Sequence, residues 1–118
     1  MLDNDAAQLE KLGAVKYDQG KPDFTLIPIE AMEMMAEGFA YGARKYTRSN
    51  YRLSSLHWTR LSAACLRHIY QWLFVSTLDE ESGCNHISLA LCSLAMLAFQ
   101  IKRHPEADDR GLKNKEPK

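Results

Sequence analysis

The sequence predicts an all-α protein, a small bundle of three main helices that a second subunit completes. Two observations support this prediction. Apolar residues recur at helical spacing in three segments, at about residues 28–45, 54–76 and 84–102. The third segment is apolar nearly all round, and three helices from one small chain can hardly cover such a helix on every side. We therefore expect a homo-oligomer, either a dimer or a tetramer.

The first predicted helix runs from about Pro28 to Lys45, since proline is compatible with the first turn of a helix. At 100° per residue, one side of this helix is apolar. Its members are Ile29, Met32, Met35, Ala36, Phe39, Ala40 and Ala43. An adjacent strip carries charges, namely Glu30, Glu33, Glu37 and Arg44.

The second predicted helix covers about residues 54–76, with Ser54 or Ser55 as the expected N-cap. Its core side is mainly apolar and its polar side carries cations. The polar sector consists of His57, Arg60, Arg67, His68 and Gln71.

The third predicted helix covers about residues 84–102. Its polar residues recur at seven-residue intervals and form one seam, made of His86, Ser93 and Gln100.

At 118 residues the chain has the size of one domain. We place a single all-α domain at residues 16–102, opened by an arm or loop in which Gly20 and Pro22 occur. Residues 1–15 are predicted to be mobile or to form a short helix. Residues 103–118 contain one large aliphatic residue and are predicted to be a disordered tail.

Composition excludes several classes of protein. The 15 Lys and Arg balance the 15 Asp and Glu, which argues against a nucleic-acid coat, so nucleic acid is not an expected partner. Cys65, Cys84 and Cys92 match neither a zinc pattern nor a disulfide framework, and free thiols indicate a reducing cytoplasm. The chain shows no secretory signal and no apolar run long enough for a membrane span.

The charges are segregated along the chain. Between Glu37 and Asp79 no carboxylate occurs. The same stretch carries six cations, namely Arg44, Lys45, Arg48, Arg52, Arg60 and Arg67. Cations favour an anion with several charges, and the flanking carboxylates are the ligands that Mg²⁺ prefers. This arrangement indicates a metal-bound polyphosphate, although each charged strip alone is also typical of a solvated surface.

The loop from Gly42 to Arg52 combines cations with aromatic residues. Tyr46 or Tyr51 is placed to stack on a nucleobase, and Asn50 to hydrogen-bond its edge. The alternative is a surface loop that one tyrosine anchors to the core.

Several motifs in order resemble a known family. The arm KYDQGKP begins at Lys16, the segment GARKY begins at Gly42, and the pair Asn50-Tyr51 follows. An Arg67-His68 pair and the turn DEESG, which begins at Asp79 and leads to His86, complete the set. Over about residues 14–101 the chain resembles a phage family of dATP/dGTP diphosphohydrolases, which are small all-α proteins related to MazG-type nucleotide pyrophosphatases.

The sequence also departs from that family's pattern. Val75 and Ser76 stand where the family has a Gly-Glu pair, so one presumed metal-binding carboxylate is replaced by a serine. Leu89 stands where a second histidine is expected, and Ser93 where a polar residue, often asparagine, is expected.

The resemblance implies Mg²⁺-dependent cleavage of a purine deoxynucleoside triphosphate (dNTP) to the monophosphate and pyrophosphate, with Mn²⁺ as a substitute ion. It implies metal ligands at Glu33, Glu37, Asp79 and Glu81, and catalytic roles for Asp79, Glu81, His68 and His86. The residues expected to bind substrate are Lys45, Arg67, Tyr46, Asn50, Lys16 and Lys21. Ser76 favours an alternative, a non-catalytic nucleotide or nucleic-acid binding module with a degraded metal site. A further alternative is a purely structural helical protein.

Overall fold

A computed structural model describes residue 17 and residues 19–112. Three α-helices follow one another: α1 spans Ile29–Lys45, α2 spans Trp58–Phe74 and α3 spans His86–Arg103. Short 3₁₀ helices lie at Phe24–Leu26, Asn50–Arg52 and Pro105–Ala107. The described residues contain no strand, only an isolated antiparallel bridge between Leu78 and Asn85. The predicted all-α class is confirmed. The predictions for residues 1–15, for Lys16 and for residues 113–118 lie outside the described residues.

Helix α3 lies at the centre and packs against both α1 and α2. The predicted polar seam of this helix is buried, since His86, Ser93 and Gln100 are at most 6% exposed. The packing against α1 is close at Gly38, where an added Cβ would lie 2.7 Å from the Ser88 carbonyl oxygen. Leu94 and Ile101 on α3 stay nearly half exposed, and self-association stays a prediction.

Helix α2 begins later than predicted because a side chain of α3 holds the preceding segment. The Gln100 side chain accepts from the Leu56 backbone N–H at 3.0 Å and donates to the Tyr51 carbonyl at 3.0 Å. Residues 54–57 therefore lie outside the helix, and the predicted N-cap at Ser54 or Ser55 is wrong. His57 occupies that position and makes no capping hydrogen bond with its side chain.

The segment after α3 packs against the helices as far as it is described, whereas composition predicts disorder from residue 103. Ala107 is 2% exposed. Asp109 accepts hydrogen bonds from the Thr59 backbone N–H, at 2.9 Å, and from the Thr59 hydroxyl. Thr59 lies in the first turn of α2, where backbone N–H groups lack partners within the helix, so the carboxylate caps α2 from a distant part of the chain.

Within residue 17 and residues 19–112, no helix is both long and apolar enough to cross a membrane.

Candidate metal and nucleotide site

Three titratable side chains converge beside the N-terminus of α3. His68 lies on α2, Asp79 in the loop between α2 and α3, and His86 at the first position of α3. One ligand atom from each residue lies within 4.8 Å of the other two. The two Nδ1 atoms of the histidines are 3.0 Å apart. His86 is buried, with 4% of its surface exposed, whereas His68 and Asp79 are half-buried.

The α2–α3 loop positions Asp79 through hydrogen bonds of its own. The Asp79 N–H donates to the Cys84 carbonyl and the Gly83 N–H donates to the Asp79 carbonyl, each at 2.8 Å. Ser82 donates from its backbone N–H and its hydroxyl to Asp79 Oδ2, both at 2.8 Å. Gly83 has a φ of 76°, which glycine adopts without strain. The sequence DEESG therefore folds into a tight turn that fixes the carboxylate.

His86 is held from both sides. Its backbone N–H donates to the Thr77 carbonyl at 3.0 Å, and the neighbouring Asn85 caps α3 by accepting from the Ile87 N–H. Its Nε2 lies 3.5 Å from the hydroxyl of Ser76, which donates to the Leu78 carbonyl at 2.9 Å.

The surroundings favour neutral imidazole and ionised carboxylate. Burial lowers the pKa of His68, and the neighbouring His86 lowers it further. Burial raises the pKa of Asp79, but the hydrogen bonds from Ser82 and the nearby imidazoles outweigh this effect and leave it below its ordinary value. At neutral pH His68 and Asp79 are therefore in the states that bind cations.

Lys45, at the end of α1, forms an ion pair with Glu81 in the same turn as Asp79. Lys45 Nζ lies 2.8 Å from Glu81 Oε1, and 5.3 Å from the centre of the Tyr46 ring. The hydrogen bond with Glu81 raises the pKa of Lys45, and the same bond lowers the pKa of Glu81. Glu81 therefore faces a cation in this structure and is not part of the histidine cluster.

A cavity of about 580 Å³ opens beside the end of α1 and the loop that follows it. Tyr46 and Asn50, the residues predicted to contact a base, line it together with Arg48 and Arg60. This volume is within the range of small-molecule sites. Lys45 and Tyr46 are adjacent in sequence, so the ion pair at Glu81 links the cavity to the turn that carries Asp79.

The two tyrosines of the loop have different roles. Tyr51 packs between Phe39 and Phe99, with ring centres 5.4 and 5.3 Å away. Tyr51 thus anchors the loop to the core. Tyr46 is 60% exposed, which leaves its ring accessible for stacking.

A family model described as "dATP/dGTP diphosphohydrolase, N-terminal" matches residues 12–110. The chain belongs to this family. A protein of Salmonella phage PMBT28, named dATP/dGTP diphosphohydrolase, is 32% identical to it over 96 residues. That alignment covers 81% of this chain but 32% of the relative, so the chain spans about a third of the relative's length. No solved structure matches the chain.

The structure of this dATP/dGTP diphosphohydrolase family member groups only some of the predicted site residues. His68, Asp79 and His86 converge, and Tyr46 and Asn50 share the cavity. Lys45 and Glu81 pair with each other. The other predicted residues that the structure describes are exposed and outside the cluster, namely Glu33, Glu37, Arg67 and Lys21. Lys16 lies outside the described residues.

Sequence reasoning also missed residues of the site. The sequence shows Arg48 and Arg60 as cations of the acid-free stretch but assigns neither a role in the site, yet both line the cavity. At position 76 the family pattern predicts only the loss of a carboxylate, whereas the Ser76 hydroxyl lies 3.5 Å from His86 Nε2. The sequence signal that could have identified Arg60 is its position in the polar sector of the second helix.

The donor atoms do not match the Mg²⁺ site that the family resemblance implies. Mg²⁺ prefers oxygen ligands and octahedral geometry, whereas the cluster offers two imidazole nitrogens and one carboxylate. Among the described residues, no group of three carboxylates comes together, and the pairing of Glu81 with Lys45 removes one predicted ligand. Imidazole ligands are typical of transition-metal ions.

Proposed function

We propose that this chain hydrolyses a purine deoxynucleoside triphosphate between its α and β phosphates, giving the monophosphate and pyrophosphate. The observation that carries the proposal is the connection between the cluster and the cavity. Asp79 of the cluster and Glu81 lie in one turn, and Glu81 pairs with Lys45, which directly precedes Tyr46 of the cavity lining. Family membership and the name of the phage relative support the substrate class.

The cavity provides contacts for each part of a nucleotide. The ring of Tyr46 stacks on the base, and the side-chain amide of Asn50 hydrogen-bonds its edge. Arg48 and Arg60 contact phosphate oxygens, because guanidinium groups pair with them in a bidentate manner. Lys45 exchanges Glu81 for a phosphate oxygen when substrate enters.

The reaction needs a water molecule to attack the α phosphorus while the bond from that phosphorus to the bridging oxygen breaks. Pyrophosphate leaves with the bridging oxygen, and the water loses a proton to the site. The cluster supplies neutral imidazole and ionised carboxylate, which are the groups that orient water and accept its proton. Positioning and charge compensation then provide most of the rate acceleration.

The test is pyrophosphate release from dATP, dGTP, dCTP and dTTP, each with Mg²⁺ and with Mn²⁺. We expect turnover of the purine substrates and its loss in Asp79→Ala. Glu80→Gln changes an exposed carboxylate in the same turn and serves as the matched control that retains turnover. The proposal fails if no dNTP is cleaved while wild type and Asp79→Ala bind nucleotide equally.

A further inference from the structure

We propose that His68, Asp79 and His86 bind one divalent transition-metal ion, of the Mn²⁺, Co²⁺ and Zn²⁺ class, in preference to Mg²⁺. The role of that ion in hydrolysis rests on the proposed function, but its binding does not. When bound, such an ion supplies a water molecule of lowered pKa.

The spacing of the nitrogens suits a shared ion. Imidazole nitrogens bind such ions at about 2.0–2.1 Å, so two of them at a right angle lie about 3.0 Å apart. The Nδ1 atoms of His68 and His86 are 3.0 Å apart. One carboxylate oxygen of Asp79 lies within 4.8 Å of a ring nitrogen of each histidine, so the carboxylate must move toward the nitrogens before all three residues share one ion.

The three ligands come from three separately fixed parts of the chain. His68 is held by α2, Asp79 by the hydrogen bonds of its turn, and His86 by the first turn of α3. Because each ligand is held separately, its side chain loses little conformational freedom when an ion binds, which favours affinity and geometric selectivity.

Groups around the ligands orient them as in known metal sites, where a ligating histidine donates its other ring N–H to an acceptor. The Ser76 hydroxyl hydrogen points to the Leu78 carbonyl, so the hydroxyl oxygen can accept from His86 Nε2 at 3.5 Å. This contact favours the tautomer of His86 that carries its proton on Nε2, which leaves Nδ1 free to bind the ion. Ser82 orients the third ligand by donating from its hydroxyl to Oδ2 of Asp79. The serine at position 76 is thus a positioning residue for His86.

The competing explanation is that His68 and His86 form only a structural hydrogen bond with each other. The test uses the full chain, stripped of metal with a chelator and dialysed. Co²⁺ is added while the visible d–d absorption is recorded, and Zn²⁺, Mn²⁺ and Mg²⁺ are titrated by calorimetry. We expect one Co²⁺ per chain, and affinities for Zn²⁺ and Mn²⁺ at least about tenfold above that for Mg²⁺.

Substitutions separate the two explanations. His68→Gln should weaken Co²⁺ binding by at least about tenfold, and Ser76→Ala by about tenfold, with recovery in Ser76→Thr. His57→Gln removes a histidine from an exposed position and should bind as wild type does. Circular dichroism checks that each variant is folded, and His68 is preferred to the buried His86 for this reason.

Equal binding by His68→Gln and wild type, or absence of a Co²⁺ band, would overturn the proposal. Turnover of dNTP with Mg²⁺, combined with Co²⁺ binding that is unchanged in His68→Gln, would leave the hydrolase proposal standing and refute this one. Co²⁺ binding that His68→Gln weakens, without hydrolysis of any dNTP, would support the metal site and refute the hydrolase proposal.

Discussion

At the scale of single residues, the local motifs predicted the histidine cluster better than the carboxylates. The Arg67-His68 pair and the turn from Asp79 to His86 pointed to residues that the structure brings together. The family resemblance implies metal ligands at Glu33 and Glu37, which share a strip of the first helix, but a strip fixes only neighbours on one helix. Whether that strip faces another ligand depends on packing, which the pattern of one helix does not contain.

Lys45 is the residue whose exchange of partners the proposed function requires. We expect Lys45→Met to lower kcat/KM for the purine dNTP by about 100-fold, since a cation that meets the phosphates in the transition state is lost. Arg44→Met removes a neighbouring exposed cation and should change kcat/KM little. Steady-state pyrophosphate release measures both variants. Equal values for the two would show that the ion pair with Glu81 has only a structural role.

At the scale of elements, helical periodicity predicted three helices, and their existence is confirmed. The predicted start of α2 was wrong because Gln100 hydrogen-bonds Tyr51 and Leu56, which lie more than forty positions earlier in the chain. The packed segment around Asp109 was missed for the same reason, since its partner Thr59 lies fifty positions away. Such contacts join distant parts of the chain and do not appear in a local sequence pattern. Asn85, by contrast, caps the helix that it directly precedes, and its position can be recognised from the sequence.

The crossing of α1 and α3 depends on Gly38. Gly38→Ala should lower the free energy of unfolding by about 1–3 kcal/mol, because the new Cβ would meet the Ser88 carbonyl oxygen at 2.7 Å and Cys92 Cβ at 2.8 Å. Gly42→Ala lies on the same helix with no heavy atom within 4 Å of the added Cβ. That variant should be stabilised by up to about 1 kcal/mol, since alanine favours the helix. Urea denaturation measures both, and a loss of stability in Gly42→Ala or none in Gly38→Ala would contradict this account.

The cap of α2 by Asp109 predicts a pH effect. Hydrogen bonds from Thr59 hold the pKa of Asp109 below its ordinary value, so the stabilisation is present at neutral pH and is lost as the pH falls through that lowered pKa. Asp109→Ala should lower Tm by a few degrees near pH 7. The difference from wild type should shrink below about pH 4. Asp109→Asn keeps one acceptor oxygen and should lie between the two; a Tm difference that does not depend on pH would count against the cap.

At the scale of the whole molecule, a net charge of zero conceals a separation of charge. The 15 cations and 15 carboxylates balance, yet Arg48 and Arg60 from the acid-free stretch line one cavity, and the carboxylate of Asp79 lies beside His68 and His86. Large apolar side chains of α2 also stay exposed, among them Leu66, Tyr70 and Leu73. The separation of charge could be read from the sequence, but the cavity could not, because it is formed by α1, α2, α3 and a loop together.

A ligand that engages this cavity and the cluster together should stabilise the entire chain. At about 100 times its Kd, a ligand specific for the folded state adds about 2.7 kcal/mol, which corresponds to a rise in Tm of roughly 10 °C for a domain of this size. The probe is dGTP with a methylene group in place of the oxygen between the α and β phosphorus atoms, added with Mn²⁺, so that binding is observed without cleavage. Tyr46→Ala should lose most of the rise, because stacking of a base on an aromatic ring contributes about 1–3 kcal/mol. Tyr70→Ala is the matched control, since Tyr70 and Tyr46 are both 60% exposed and Tyr70 does not line the cavity. A purely structural helical protein would show no rise with this probe, and a rise that persists in Tyr46→Ala would place the base elsewhere.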